Sequence, residues 1–177
     1  LGAGWSAALV TAFSFTMWQN SVETEVYAVA MMIIALAAWT VTRWREARTT
    51  SQGTRLLLVL LYLGGISIGN HLLGLLVGPA LVAALMSTSW LGPLADPTAR
   101  RAEQARIAVV GTVWLLLIAL GLGSTNLTLT TAALVAVAGV WAIGRKQLGF
   151  VAMALLIVAI GVTPYLFLYF RAKQGPW

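Results

Sequence analysis

The chain has 177 residues, 60% of them hydrophobic, with only 11 Lys and Arg, 5 Asp and Glu and a net charge of +6. Its mean hydropathy is +0.89 and 9% of its residues are charged, against roughly 25% in a soluble domain, so a water-soluble fold is excluded. Cysteine is absent, which removes disulfides, thiolate metal sites and cysteine nucleophiles from consideration.

Crossing a hydrocarbon core of about 30 Å takes roughly 20 apolar residues in a helix. The apolar runs are 2–18, 26–44, 56–69, 72–88, 107–123, 127–143 and 148–170, which predicts an all-α polytopic bundle of about seven spans in a single transmembrane domain, 1–177. The chain begins at Leu1 with no initiator Met, and no basic residue precedes Arg43. It is therefore read as a fragment of a longer chain rather than as a signal peptide.

Between the first two runs lies QNSVETE, residues 19–25. Asn20 and Glu23 fit a helix cap and its reciprocal partner, and carboxylates in a first turn interact well with the helix dipole. The same carboxylates suit a hard divalent cation, the one cofactor the pattern leaves open. On a helix Glu23 and Glu25 would diverge by about 200°, so both face one ion only if the chain is extended at Glu23. Glu25 lies in a mouth flanked by Trp18 and Tyr27. It is read as functional.

Residues 56–86 would span about 46 Å as one helix, at roughly 1.5 Å per residue. The centre, GGISIGNHLLG, is where a break is expected. Charge parity agrees: Arg43, Arg45, Arg48 and Arg55 precede it, and Arg100, Arg101 and Arg106 follow. The positive-inside rule puts both groups in the cytoplasm. Two short spans then lie between them, with Asn70 and His71 at the far side. His71, the only histidine, is either a satisfied polar group at a helix break or a ligand to an anion, a metal or a pigment.

The later runs alternate, so that Arg145 and Lys146 are cytoplasmic and Arg171 and Lys173 are not. A terminal Arg and Lys read as snorkelling side chains or as a clamp on a lipid-linked phosphate, which suits guanidinium geometry. Trp18, Trp44, Trp90 and Trp141 fall at expected span ends, as in an aromatic belt. Gly64, Gly65 and Gly161 mark close helix contacts. Asn126-Leu127-Thr128 matches a glycosylation acceptor triplet. The basic residues lie in short loops between apolar runs, so the positive charge points to membrane topology and not to nucleic acid.

Three stretches carry a resemblance: AFSFTMW (Ala12–Trp18), VETEVY (Val22–Tyr27) and GISIGNHLLGLL (Gly65–Leu76), with YLFLYFRAKQGP near the end. The chain resembles a bacterial family of polytopic membrane proteins related to the protein O-mannosyltransferases of the GT-C superfamily. The resemblance implies a glycosyltransferase at the outer face of the bacterial cytoplasmic membrane, using a polyprenyl-phosphate-linked sugar as donor. It implies Glu25 as the acidic catalytic residue of this stretch, with His71 and Arg171 lining the same cavity; the alternation of spans puts Glu23, the second catalytic candidate, and the candidate binding residues Trp18, Asn20, Tyr27 and Asn70 on the same face. It also implies a catalytic aspartate in an external loop ahead of Leu1, so 1–177 is expected to supply part of the site. The competing expectation is a non-catalytic transmembrane subunit of a larger respiratory or photosynthetic assembly, whose partners are membrane lipids and other subunits. A transporter ranks below both, because the spans lack intramembrane charges.

Overall fold

The computed structural model describes residues 2–14, 26–70, 72–91 and 96–174. All its regular elements are helices: α1 (Gly2–Ala12), α2 (Val26–Ala47), α3 (Ser51–Asn70), α4 (Leu73–Leu76), α5 (Gly78–Leu91), α6 (Pro97–Gly121), α7 (Thr125–Gly144) and α8 (Leu148–Lys173). Six stretches among the described residues are long and apolar enough to cross a membrane, α4 and α5 counting as one. The chain is an integral, all-α membrane protein. The expected first span is the exception: α1 has 11 residues, about 17 Å of helix, and the run's remainder from residue 15 lies outside the described residues.

Two helices begin well before the apolar runs do. α3 starts at Ser51 instead of residue 56, and α6 at Pro97 instead of 107. The start of α6 follows from local chemistry. Asp96 is extended and its side chain accepts a bond from the Thr98 N–H at 2.8 Å, with Pro at the first helical position. A side-chain acceptor satisfies one orphan donor and Pro gives up none that is needed. A count of apolar residues does not register caps, so 97–106 reads as a loop although it is helical.

The start of α3 is fixed by space. The turn from α2 takes only Arg48–Thr50, and a Cβ at Gly53 would sit 2.6 Å from the Ala47 carbonyl oxygen and 2.8 Å from the Arg48 Cα. Only glycine fits there.

α3 is the central helix. Leu57, Leu60 and Leu61 share one buried core with Trp44 of α2 and Ile107, Val110, Trp114 and Leu117 of α6. Lipid tails are as apolar as these side chains, so tight packing drives helix association. Gly65 and Gly161 supply it: a Cβ on Gly65 would stand 3.0 Å from the Gly161 Cα, and one on Gly69 3.0 Å from the Tyr165 N. These successive contacts run α3 and α8 parallel. The expectation for Gly64, Gly65 and Gly161 is met.

The break after Asn70 also stands where expected, with α4 folding back onto α3. Gly74 lies against Ser67, where a Cβ would be 3.0 Å from Oγ. At the irregular junction of α4 and α5, the Trp114 indole N–H donates to the Leu75 carbonyl at 2.8 Å. Inside a membrane a carbonyl released from a helix ladder needs such a partner. A Cβ at Gly78 would collide with that indole.

Successive spans alternate in direction, so one end of the bundle collects Arg43, Arg45, Arg48, Arg55, Arg100, Arg101, Arg106, Arg145 and Lys146. The bundle is latched there. The Arg48 guanidinium donates to both carboxylate oxygens of Glu103, at 2.6 and 3.2 Å, and to the Thr88 carbonyl at 2.7 Å. It also stands 5.6 Å over the Trp44 ring. Trp44 is 1% exposed, which corrects its assignment to an aromatic belt: it is a core residue lying under the latch. Trp90 and Trp141 are exposed, as that belt requires.

Candidate functional site

Of the eight residues singled out on the far side, Trp18, Asn20, Glu23, Glu25 and His71 lie outside the described residues. Tyr27, Asn70 and Arg171 are described, and all three stand at the same end of the helix bundle. Tyr27 is in the first turn of α2, Asn70 is the last residue of α3, and Arg171 is in the last turn of α8.

Helix direction explains why the three share an end. α2 and α3 are antiparallel neighbours joined by the short Arg48–Thr50 turn, so the start of one adjoins the end of the other. α8 runs parallel to α3 from the Gly65–Gly161 contact to the Gly69–Tyr165 contact. Arg171 lies six residues beyond Tyr165, about 9 Å further along the helix. All three therefore lie at the end opposite the nine basic residues.

Positive charge at this end comes from Arg171 and Lys173, in the last turn of α8. Cations there oppose the negative pole of the helix dipole. Lys173 Nζ lies 4.7 Å from the Tyr169 ring centroid, close enough for cation–π attraction. The α8 terminus thus holds two cations beside aromatic surface, an arrangement that suits an anionic group at a membrane boundary. Among the described residues no group of three His, Cys, Asp or Glu could hold a metal ion.

A family model described as the protein O-mannosyl-transferase TMEM260 N-terminal domain matches residues 1–94, more than half of the 177-residue chain. The chain belongs to this family. No curated protein and no solved structure matches it. The family match takes in Glu23, Glu25, Tyr27, Asn70 and His71, whereas Arg171 lies beyond it. It supports the relation to protein O-mannosyltransferases that the motifs suggest, and it makes this a membrane protein of glycosyltransferase type.

Reading the sequence missed the second polar assembly, on the Arg-rich end. Glu103 is 3% exposed and fixes Arg48, which lies 55 residues away in sequence. Glu103 sits in a stretch dense with charge, which reads as a solvated loop. The Asp96-Pro97 cap signal would have put it on a helix, but nothing local names its partner. The Asn126 triplet lies in the first turn of α7, where the Thr128 hydroxyl donates to the Ser124 carbonyl at 2.9 Å.

Proposed function

We propose that this chain forms part of a GT-C glycosyltransferase of a bacterial cytoplasmic membrane. It works on a lipid-phosphate-linked sugar at the end of the bundle that carries Tyr27, Asn70 and Arg171. The observation carrying the reading is that those three helix ends share one end of the bundle in a chain of the O-mannosyl-transferase family. The Arg-rich end faces the cytoplasm by the positive-inside rule, which turns the candidate site outward.

In the transfer, the bond from the sugar's anomeric carbon to the donor phosphate oxygen breaks, and the electron pair leaves with the polyprenyl phosphate. A bond forms from the acceptor oxygen to the same carbon, and the acceptor proton passes to a carboxylate. Such a base is effective only within hydrogen-bond reach of that proton. Glu25 and Glu23 are the carboxylates this stretch offers. Arg171 and His71 stabilise charge on the departing phosphate, where preorganised cations act most strongly. Tyr27 and Trp18 present aromatic surface to the sugar, and Asn20 and Asn70 present amide groups. A divalent cation at Glu25 would add charge on the phosphate. No step above depends on one.

In the full-length protein, Glu25→Gln is expected to abolish sugar transfer with folded yield near wild type. Wild-type activity in that variant removes Glu25 from the site. Arg171→Gln is expected to weaken use of the lipid donor by roughly 10- to 100-fold, the loss of one charged hydrogen-bonding partner. An unchanged donor dependence contradicts its role.

The second reading is an accessory subunit of a larger assembly. One observation favours it: α1 buries no residue, and Trp5, Leu9 and Val10 on it are exposed. Co-purification of a stable heteromeric complex without transferase activity selects this reading.

A further inference from the structure

At the Arg-rich end, the α2–α3 turn and the first turns of α6 enclose a polar cleft of about 290 Å³, lined chiefly by Arg48, Thr49, Ser51, Thr54, Glu103 and Arg106. Its charges do not cancel. Both oxygens of Glu103 are engaged by Arg48, so that pair is locally neutral. Arg106 is left over. It is half-buried, and its one hydrogen bond among the described residues runs from Nη1 to the Thr54 hydroxyl. No carboxylate lies within ion-pair distance of it there. Its Nε is sealed from solvent with no acceptor among the described residues.

A guanidinium partly withdrawn from water, bonded to a neutral hydroxyl and attracted only at longer range by Glu103, whose two oxygens Arg48 already holds, is incompletely compensated, and an anion in the cleft corrects this. The remaining donors have the same sense. The Thr49 and Ser51 hydroxyls have no hydrogen-bond partner among the described residues. The backbone N–H groups of Ser51 and Gln52 precede the first intrahelical acceptor of α3, while that of Gly53 is taken by the Thr50 carbonyl at 3.1 Å. The uncovered N–H groups of a helix start attract negative charge. The turn that presents them is tight, since a Cβ at Gly53 would stand 2.6 Å from the Ala47 carbonyl oxygen.

We propose that this cleft binds a phosphate-bearing anion, held by Arg106, the Thr49 and Ser51 hydroxyls and the start of α3. The Arg48–Glu103 pair forms its back wall. The ligand is the headgroup of an anionic lipid of the same leaflet or a soluble phosphorylated compound, since the chemistry recognised is the same. The cleft lies at the end of the bundle opposite Tyr27, Asn70 and Arg171, so it is separate from the proposed transfer site and independent of that assignment.

The test is thermal unfolding of the purified full-length protein in neutral-lipid nanodiscs. Three additions are compared at equal ionic strength: chloride, inorganic phosphate, and nanodiscs doped with phosphatidic acid. Wild type is expected to be stabilised by phosphate, by phosphatidic acid, or by both. Phosphate alone identifies a soluble ligand. Phosphatidic acid alone identifies a lipid headgroup. Arg106→Gln is expected to weaken the effect on the order of tenfold or more in apparent affinity. Thr49→Ala combined with Ser51→Ala changes only exposed residues of the turn and the start of α3, so it serves if Arg106→Gln folds poorly, and it is expected to weaken the effect in the same direction. The proposal is overturned if neither probe stabilises wild type, or if stabilisation persists undiminished in the variants.

Discussion

Glu103 is the residue whose environment differs most from its sequence context. Its side chain is 4% exposed and its partner Arg48's is 11%, so both charges have left water. Removing one member of such a pair strands the other, at a cost of about 3–5 kcal/mol. Glu103→Gln is therefore expected to destabilise the protein by that amount in reversible unfolding. A loss below about 1 kcal/mol, the range of surface ion pairs, contradicts the burial. Arg43→Ala provides the comparison. Its bridge to Glu46 has side chains 48% and 66% exposed, and its removal is expected to change little. Both ion pairs involve arginines that sequence reading treats alike, as topology signals. What separates them is tertiary: Arg48 finds a carboxylate from α6, and Arg43 one on its own helix.

At the scale of elements, glycine positions divide cleanly by what surrounds them. Gly65→Ala would bring its Cβ within 3.0 Å of the Gly161 backbone, whereas at Gly139 nothing lies within 4 Å. Gly65→Ala is expected to lower stability by about 1–3 kcal/mol, the usual cost of overpacking. Gly139→Ala is expected to be neutral or mildly stabilising, since alanine is the better helix former. Equal effects would contradict a close α3–α8 crossing. The end of α7 yields an opposite case. The Lys146 N–H bonds to the Ile143 carbonyl and the Gln147 N–H to the Ala142 carbonyl, a Schellman cap with Lys146 at φ 63°. That position usually takes glycine, so Lys146→Gly is expected to raise stability by about 1 kcal/mol. Sequence reading found the α3–α4 break because Gly, Asn and a charge-parity constraint coincide there. It misplaced the starts of α3 and α6 because their polar first turns are stabilised by a cap and a tight turn, which hydropathy does not register. The close α3–α8 contact was legible as small residues; their pairing was not, because it depends on how distant helices cross.

For the whole molecule, the sequence held the class and the alternation of spans, because apolar length and arginine placement follow directly from the bilayer. The candidate site was legible only as a set of polar residues at one end. Tyr27, Asn70 and Arg171 do share that end, through the alternation of helices and the parallel run of α3 and α8. The Arg-rich cleft was not legible, since its members come from the α2–α3 turn, α3 and α6 and acquire meaning only from burial. Both the outward transfer site and the leaflet served by the cleft depend on which end of the bundle faces the cytoplasm. Residues 1–177 contain no cysteine, so a single cysteine placed there has no competing thiol within this stretch. Thr98 is exposed at the Arg-rich end and Thr125 is exposed at the other. In intact cells expressing the full-length protein, a membrane-impermeant maleimide is expected to label Thr125→Cys and to reach Thr98→Cys only after permeabilisation. Labelling of Thr98→Cys from outside, with Thr125→Cys protected, would invert the bundle and contradict an outward-facing transfer site.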